Sequence, residues 1–81
     1  MSEVEIEYCV PCGLLDNAIE TQHALLEAYG QDLDTVTLTP GHGGVFKVSV
    51  NGDLVFDKDE AGGYDQDAIE EAVHASLGAP A

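Results

Sequence analysis

Positive charge is what this chain has least of. Across 81 residues there are two lysines, Lys47 and Lys58, and no arginine, against sixteen aspartates and glutamates, for a formal net charge of −14. Nucleic acid is excluded as a partner on that ground, because displacing the counterions condensed on phosphates takes clustered cations. An anionic membrane surface is excluded by the same sign. Long apolar runs are missing too: none approaches the ~18 residues of a membrane span, and no cationic, apolar leader opens the chain, so a cytoplasmic location is expected. Cysteine is equally sparse. Cys9 and Cys12 are the only two, and at three residues apart they cannot staple distant segments. In a reducing compartment such a pair is read as catalytic or metal-binding.

Eighty-one residues bound the molecule to one small domain. Apolar residues make up 44% of it, so the acidity does not by itself imply disorder. The acidic residues are spread along the chain and not gathered in a tail, as in a solvated surface adapted to a high-salt cytoplasm. At molar salt the Debye length is about 3 Å and their mutual repulsion is largely screened. The plainer alternative is an ordinary acidic protein with an acidic partner-facing side.

Val4, Ile6 and Tyr8 alternate with Glu3, Glu5 and Glu7, which predicts a strand with one apolar and one wet face. The strand runs straight into Cys9-Val10-Pro11-Cys12. Leu14, Leu15, Ala18, Ile19, Gln22, Leu25, Leu26 and Tyr29 then recur at helical steps, with Asp16, Asn17, Glu20 and Glu27 off the stripe. Pro11 suits the first helical position, so the helix is expected to begin inside the Cys motif, and Gly30 suits a left-handed cap at its end. A second alternating strand follows over 34–39. Pro40-Gly41-His42-Gly43-Gly44 reads as a loop. Phe46, Val48 and Val50 alternate again, and Asn51-Gly52 before Leu54-Val55-Phe56 signals a tight hairpin. Residues 60–63 read as a loop. Asp65 is expected to cap a last helix, with Tyr64 and Ile69 placed as a hydrophobic staple. Ala68, Ile69, Ala72, Val73 and Leu77 form that helix's apolar stripe; Gly78 ends it, and 78–81 reads as a frayed tail.

The order is β-α-β-β-β-α. Two helices cover one face of a four-stranded sheet, so the fold class is an α+β two-layer sandwich, a βαβ unit joined to ββα, on the plan of a minimal thioredoxin fold.

At a strand-to-helix junction a Cys-x-x-Cys pair has a specific use. The thiolate is the nucleophile, and a helix N-terminus favours it through unpaired N–H groups and partial positive charge. The second sulfur can then resolve a mixed disulfide into a Cys9–Cys12 bond. Nothing in the spacing decides which sulfur attacks first. Val10 and Pro11 within the motif, and Pro40 and His42 in the following loop, are candidates for a wall that meets substrate; His42 has a plain reading as part of a turn. His23 is expected to be solvated, and His74 falls near the C-terminus of the last helix. Zinc is a weaker alternative, since a closed site wants four ligands and only these three scattered histidines accompany the pair. Simple packing of the two cysteines is the remaining one.

With those residues in view, the chain resembles the selenoprotein W-like, or Rdx, family. Val4 to Cys12, Gly44 to Phe56, and Ala61-Gly62-Gly63-Tyr64 carry the likeness. The resemblance implies a thioredoxin-like fold and thiol-based redox chemistry with no bound cofactor. Its partners would be protein or low-molecular-weight thiols and disulfides, including an external reductant. The family motif carries selenocysteine, where present, at its second position, which matches Cys12. By that resemblance Cys12 is the reactive group and Cys9 its partner. The acidic Asp57-Lys58-Asp59-Glu60 departs from the basic stretch of animal members, so a basic partner site is not carried over. The expected function is thus a thiol–disulfide oxidoreductase, with a non-catalytic redox-sensing or protein-interaction module as the alternative.

Overall fold

The structure, a computed structural model, describes residues 2–77. The elements in order are β1 (Glu3–Cys9), α1 (Leu15–Tyr29), β2 (Thr35–Gly41), β3 (Phe46–Val50), β4 (Asp53–Asp57), the short α2 (Lys58–Ala61) and α3 (Gln66–Leu77). The strands form one mixed sheet in the order β2-β1-β3-β4, with β1 parallel to β2 and the other two pairings antiparallel. α1 packs on β1 and β2, and α3 on β3 and β4, so the long helices share one face. This is the expected α+β two-layer sandwich with one more element, the single-turn α2, where a loop was read over 60–63. Asp57 makes that turn possible by accepting the Asp59 N–H at 2.9 Å as an N-cap.

Alternation is what orients the sheet. Val4, Ile6 and Tyr8 of β1 and Phe46, Val48 and Val50 of β3 are buried under the helices, where Ala18 and Leu25 of α1 and Ile69 and Val73 of α3 meet them. Asn51 and Gly52 take φ of 53° and 87° and close the β3–β4 hairpin as expected. Asp65 caps α3 by accepting the Ala68 N–H at 3.1 Å. Tyr64, just before it, is half-buried, with its ring edge-on to Phe46 at 5.3 Å between centroids. The expected end of α3 at Gly78 and the tail over 78–81 lie outside the described residues.

Four expectations are corrected. α1 begins at Leu15, not inside the Cys motif, because Gly13 takes φ of 77° and its N–H closes a turn onto the Val10 carbonyl at 3.2 Å. Pro11 therefore sits in that turn and not at the first helical position. Gly30 stays right-handed at φ −50° and is no left-handed cap; a Cβ there would press on the Leu26 carbonyl oxygen. β2 runs on through Pro40 and Gly41, which read as loop. Proline is tolerated because β2 is an edge strand and the missing N–H falls on its open side. The sides are set by Gly41, whose carbonyl faces β1 and accepts the Val10 N–H at 3.1 Å; at the alternate positions the backbone polar groups of Pro40, Leu38 and Val36 face the open edge, while the Val36 and Leu38 side chains pack on the core. The Thr39–Pro40 peptide bond is trans.

The fourth correction concerns α1. Its buried row is Ala18, Thr21 and Leu25, with Leu14 and Tyr29 half-buried at either end, while Leu15, Ile19 and Leu26 are exposed by 42%, 47% and 44%. Apolar residues cover more of this helix than one sheet face can bury, so the row in contact was not fixed by apolarity. Thr21 is fully buried because its hydroxyl donates to the Asn17 carbonyl at 2.8 Å and lies 3.0 Å from the Tyr64 hydroxyl.

Candidate functional site

β1 delivers Cys9 to the edge of the sheet where the parallel β1–β2 pair ends. The strict alternation of the strand stops there: Tyr8 and Cys9 are consecutive buried residues. Two backbone bonds fix the position. The Cys9 N–H donates to the Val45 carbonyl at 2.7 Å, and the Val10 N–H to the Gly41 carbonyl at 3.1 Å. Beyond Cys9 the chain turns over Val10 to Gly13, and the Leu14 N–H reaches back to the Cys9 carbonyl at 3.3 Å. Cys12 lies on the outside of that turn.

The two sulfurs are bonded to each other, with the Cα atoms 5.3 Å apart. The pair is unequal. Cys9 is completely buried, whereas Cys12 is exposed, as are Pro11 and, by 46%, Val10. A sulfur that reacts by displacement must be reached along the S–S axis, and only Cys12 offers its surface to solvent.

Of the expected wall residues, Val10 and Pro11 belong to the Cys turn itself. Pro40 lies on β2 opposite Tyr8, and His42 is the first residue of the exposed loop that follows. The residues bonded to the Cys segment are Gly41 and Val45, which the sequence reading did not single out. Gly41 must be small: a Cβ there would stand 2.9 Å from Val45 Cγ1 and 3.1 Å from Glu7 Oε2. Val45 could have been found by extending the antiparallel register of Tyr8 opposite Phe46 by one residue. His23 is solvated, 3.9 Å from Glu27, and His74 is exposed, its ring 5.9 Å from that of Tyr29. Neither reaches the Cys loop. Among the described residues no group of three or more His, Cys, Asp or Glu side chains is placed to hold a metal ion.

Cations are scarce around the site. Lys47 stands opposite Glu7 in the β1–β3 register, and Lys58 pairs with Asp59 at 3.5 Å. The N-terminus of α1 has no side-chain cap at Leu14, so its first-turn N–H groups are a source of positive potential three residues beyond Cys12. A depression of about 300 Å³ on the open sheet face, between Glu3, Glu5, Thr35 and Thr37, sits at the opposite end of β1 from the cysteines. No described helix is long and apolar enough to cross a membrane.

Known proteins share this fold. A protein from Bordetella parapertussis of solved structure superposes with a TM-score of 0.87 at 33% identity, over 93% of this chain and 96% of its own. A selenoprotein W-related protein from Vibrio cholerae gives a TM-score of 0.88 at 23% identity, over 94% and 96%, a likeness of fold. Proteins named migration and invasion enhancer 1 from Bos taurus and Mus musculus are 39% and 38% identical over 80 residues, which is 95% of this chain and 67% of theirs. The sequence model of the Rdx family matches residues 3–74, from the start of β1 to His74 in α3. With the Cys-x-x-Cys turn, the sheet order and this match in agreement, the chain belongs to the Rdx family.

Proposed function

We propose that this protein is a thiol–disulfide oxidoreductase that cycles between a Cys9/Cys12 dithiol and the intramolecular disulfide, with Cys12 as the attacking sulfur. The observation that carries the reading is the asymmetry of the bonded pair, Cys9 buried at the end of β1 and Cys12 exposed on the turn. In the reducing direction, the Cys12 thiolate attacks one sulfur of a substrate disulfide and the other leaves as a thiolate that takes up a proton. Cys9 then attacks the Cys12 sulfur, closes the Cys9–Cys12 bond and releases the second substrate thiol. Two electrons and two protons pass to the substrate, and an external dithiol or thiol pair restores the starting state. Because α1 starts three residues past Cys12, the help its field gives the thiolate is smaller than for a cysteine inside the first turn.

Family membership supports thiol redox chemistry in a thioredoxin-like frame. The substrates implied are protein or small-molecule thiols and disulfides, in a reducing compartment such as the cytoplasm. Single substitutions test the order of attack. Cys9→Ser is expected to accumulate a mixed disulfide through Cys12 with a model disulfide, seen by mass, while Cys12→Ser gives none at the buried Cys9. Full turnover by both variants would refute the mechanism. A dithiol that oxidises reversibly but turns over no model disulfide would instead indicate a redox-sensing binding module.

A further inference from the structure

Beside the Cys turn, α1 presents two parallel rows to solvent. Leu15, Ile19 and Leu26, three apolar residues each exposed by more than 40%, fall on one line along the helix axis. The line is about 16 Å long at 1.5 Å per residue. It begins at the turn, whose own Val10 is 46% exposed. About a quarter turn around the helix lies a second row, Asp16, Glu20 and Glu27. Isolated exposed apolar residues need no explanation, but an aligned set continuous with a reactive disulfide has a use. The neighbouring edge of β2 does not invite strand addition. The Gln22 amide donates to the outward-facing Val36 carbonyl at 2.7 Å, and Pro40 brings no N–H to that edge. Contact on this side is therefore through side chains of α1.

Resting on the oxidoreductase reading above, we infer that the apolar row of α1 docks the polypeptide substrate, and that this substrate is a protein cysteine flanked by apolar residues and by Lys or Arg. Charge complementarity selects it. A net charge of −14 and the acidic row beside the apolar one attract a basic segment and repel an acidic one. At low salt a second copy of this chain, carrying the same −14, is repelled. A small thiol of the glutathione type carries two carboxylates, against which this chain sets only Lys47, Lys58 and the N-terminus of α1.

The test uses the reduced protein and four probes: 2-pyridyl disulfides of a cysteine peptide with apolar and Lys/Arg neighbours, of the same peptide with Glu in place of Lys/Arg, and of glutathione, together with neutral 2-hydroxyethyl disulfide. For the pyridyl probes Cys12 attacks the peptide sulfur, 2-thiopyridone leaves and reports the rate, and Cys9 releases the peptide thiol. Each rate constant is divided by that of dithiothreitol with the same probe. At the lowest salt that keeps the native far-UV spectrum, the basic apolar peptide is expected to react at least ~10-fold faster than the acidic peptide or the glutathione derivative. The charge preference shrinks toward 1 M salt as the Debye length falls to about 3 Å. Ile19→Ser/Leu26→Ser, seven and fourteen residues past Cys12, is expected to cost the basic peptide ~10-fold and the neutral disulfide less than about twofold. Equal normalised rates for all probes, a faster glutathione derivative, or a homodimer that the same double substitution dissociates would each overturn the docking proposal. No reaction with any probe, the neutral disulfide included, would overturn the oxidoreductase reading instead.

Discussion

At its first residue β1 meets the Asn51–Gly52 hairpin, and at its last it runs into the Cys turn. The hairpin turn itself is made by local chemistry, although its bonds to β1 span 48 residues. Asn51 and Gly52 supply the positive φ values, Asn51 Oδ1 accepts the Glu3 N–H at 2.9 Å, and the Asn51 N–H returns a bond to the Glu3 carbonyl at 2.8 Å. The Cys end is likewise tied down by distant residues. Its turn hangs on Gly41, the last residue of β2, and on Val45, just before β3, both more than thirty positions away in sequence. The hairpin end exposes Asn51, Gly52, Asp53 and Leu54, none of them a nucleophile, while the Cys end leaves a cysteine, a valine and a proline in solvent. The proposed chemistry sits where the backbone is fixed by its neighbours and a nucleophile is left uncovered.

The largest expected effect that bears on this contrast is loss of the residue under the Cys end. Phe46, buried opposite Tyr8, fills the core there, and Phe46→Ala is expected to cost about 3–5 kcal/mol in urea unfolding, enough to unfold much of an 81-residue domain. A cost under 1 kcal/mol would show that the core does not reach the Cys end. Gly41→Ala comes next. The added Cβ meets Val45 and Glu7, for about 1–3 kcal/mol. Displacing Val45 should also let iodoacetamide reach Cys9 of the reduced protein faster relative to Cys12; unchanged selectivity would mean Gly41 and Val45 do not shield it. At the hairpin end, Asn51→Ala is expected to cost about 1–2 kcal/mol, through the lost Glu3 bond and the left-handed φ of 53° that alanine adopts poorly, with disulfide exchange unaltered.

How far each end could be read in advance follows from the same difference. The hairpin was legible because Asn-Gly accepts positive φ regardless of the rest of the chain. The Asp65 cap was legible because it acts within three residues, and β1 and β3 because an apolar residue recurs at every second position. The Cys pair and its strand-to-helix placement were likewise visible. What escaped was set by packing. Gly13 ends the turn before the helix, a choice made against Pro11, which would serve either structure. Pro40 reads as a strand breaker until β2 is known to be an edge. The buried row of α1 runs through Thr21 and not Ile19, because a partner hydroxyl from Tyr64, 43 residues on, makes threonine acceptable in the core.

Tyr64 gives the smallest expected effect. Burial holds its phenol above the ordinary value near 10.0, with the Glu20 and Glu70 carboxylates adding to the rise. A raised value in the folded state means stability that is complete below pH 10 and lost as pH climbs through the folded value. Tyr64→Phe should therefore show a slightly shallower alkaline decline in thermal midpoint than the parent. Identical slopes would place the Tyr64 hydroxyl in water.

The proposed chemistry requires Cys9 and Cys12 to form a working dithiol–disulfide couple, which a redox titration reads out. Protein stripped of metal by chelation is equilibrated in thiol–disulfide buffers at high salt, alkylated, and its Cys9–Cys12 bond followed by mass. The account predicts a reversible two-electron transition between about −180 and −300 mV, the range of thiol oxidoreductases. A chain that forms no intramolecular disulfide at any poise would contradict it.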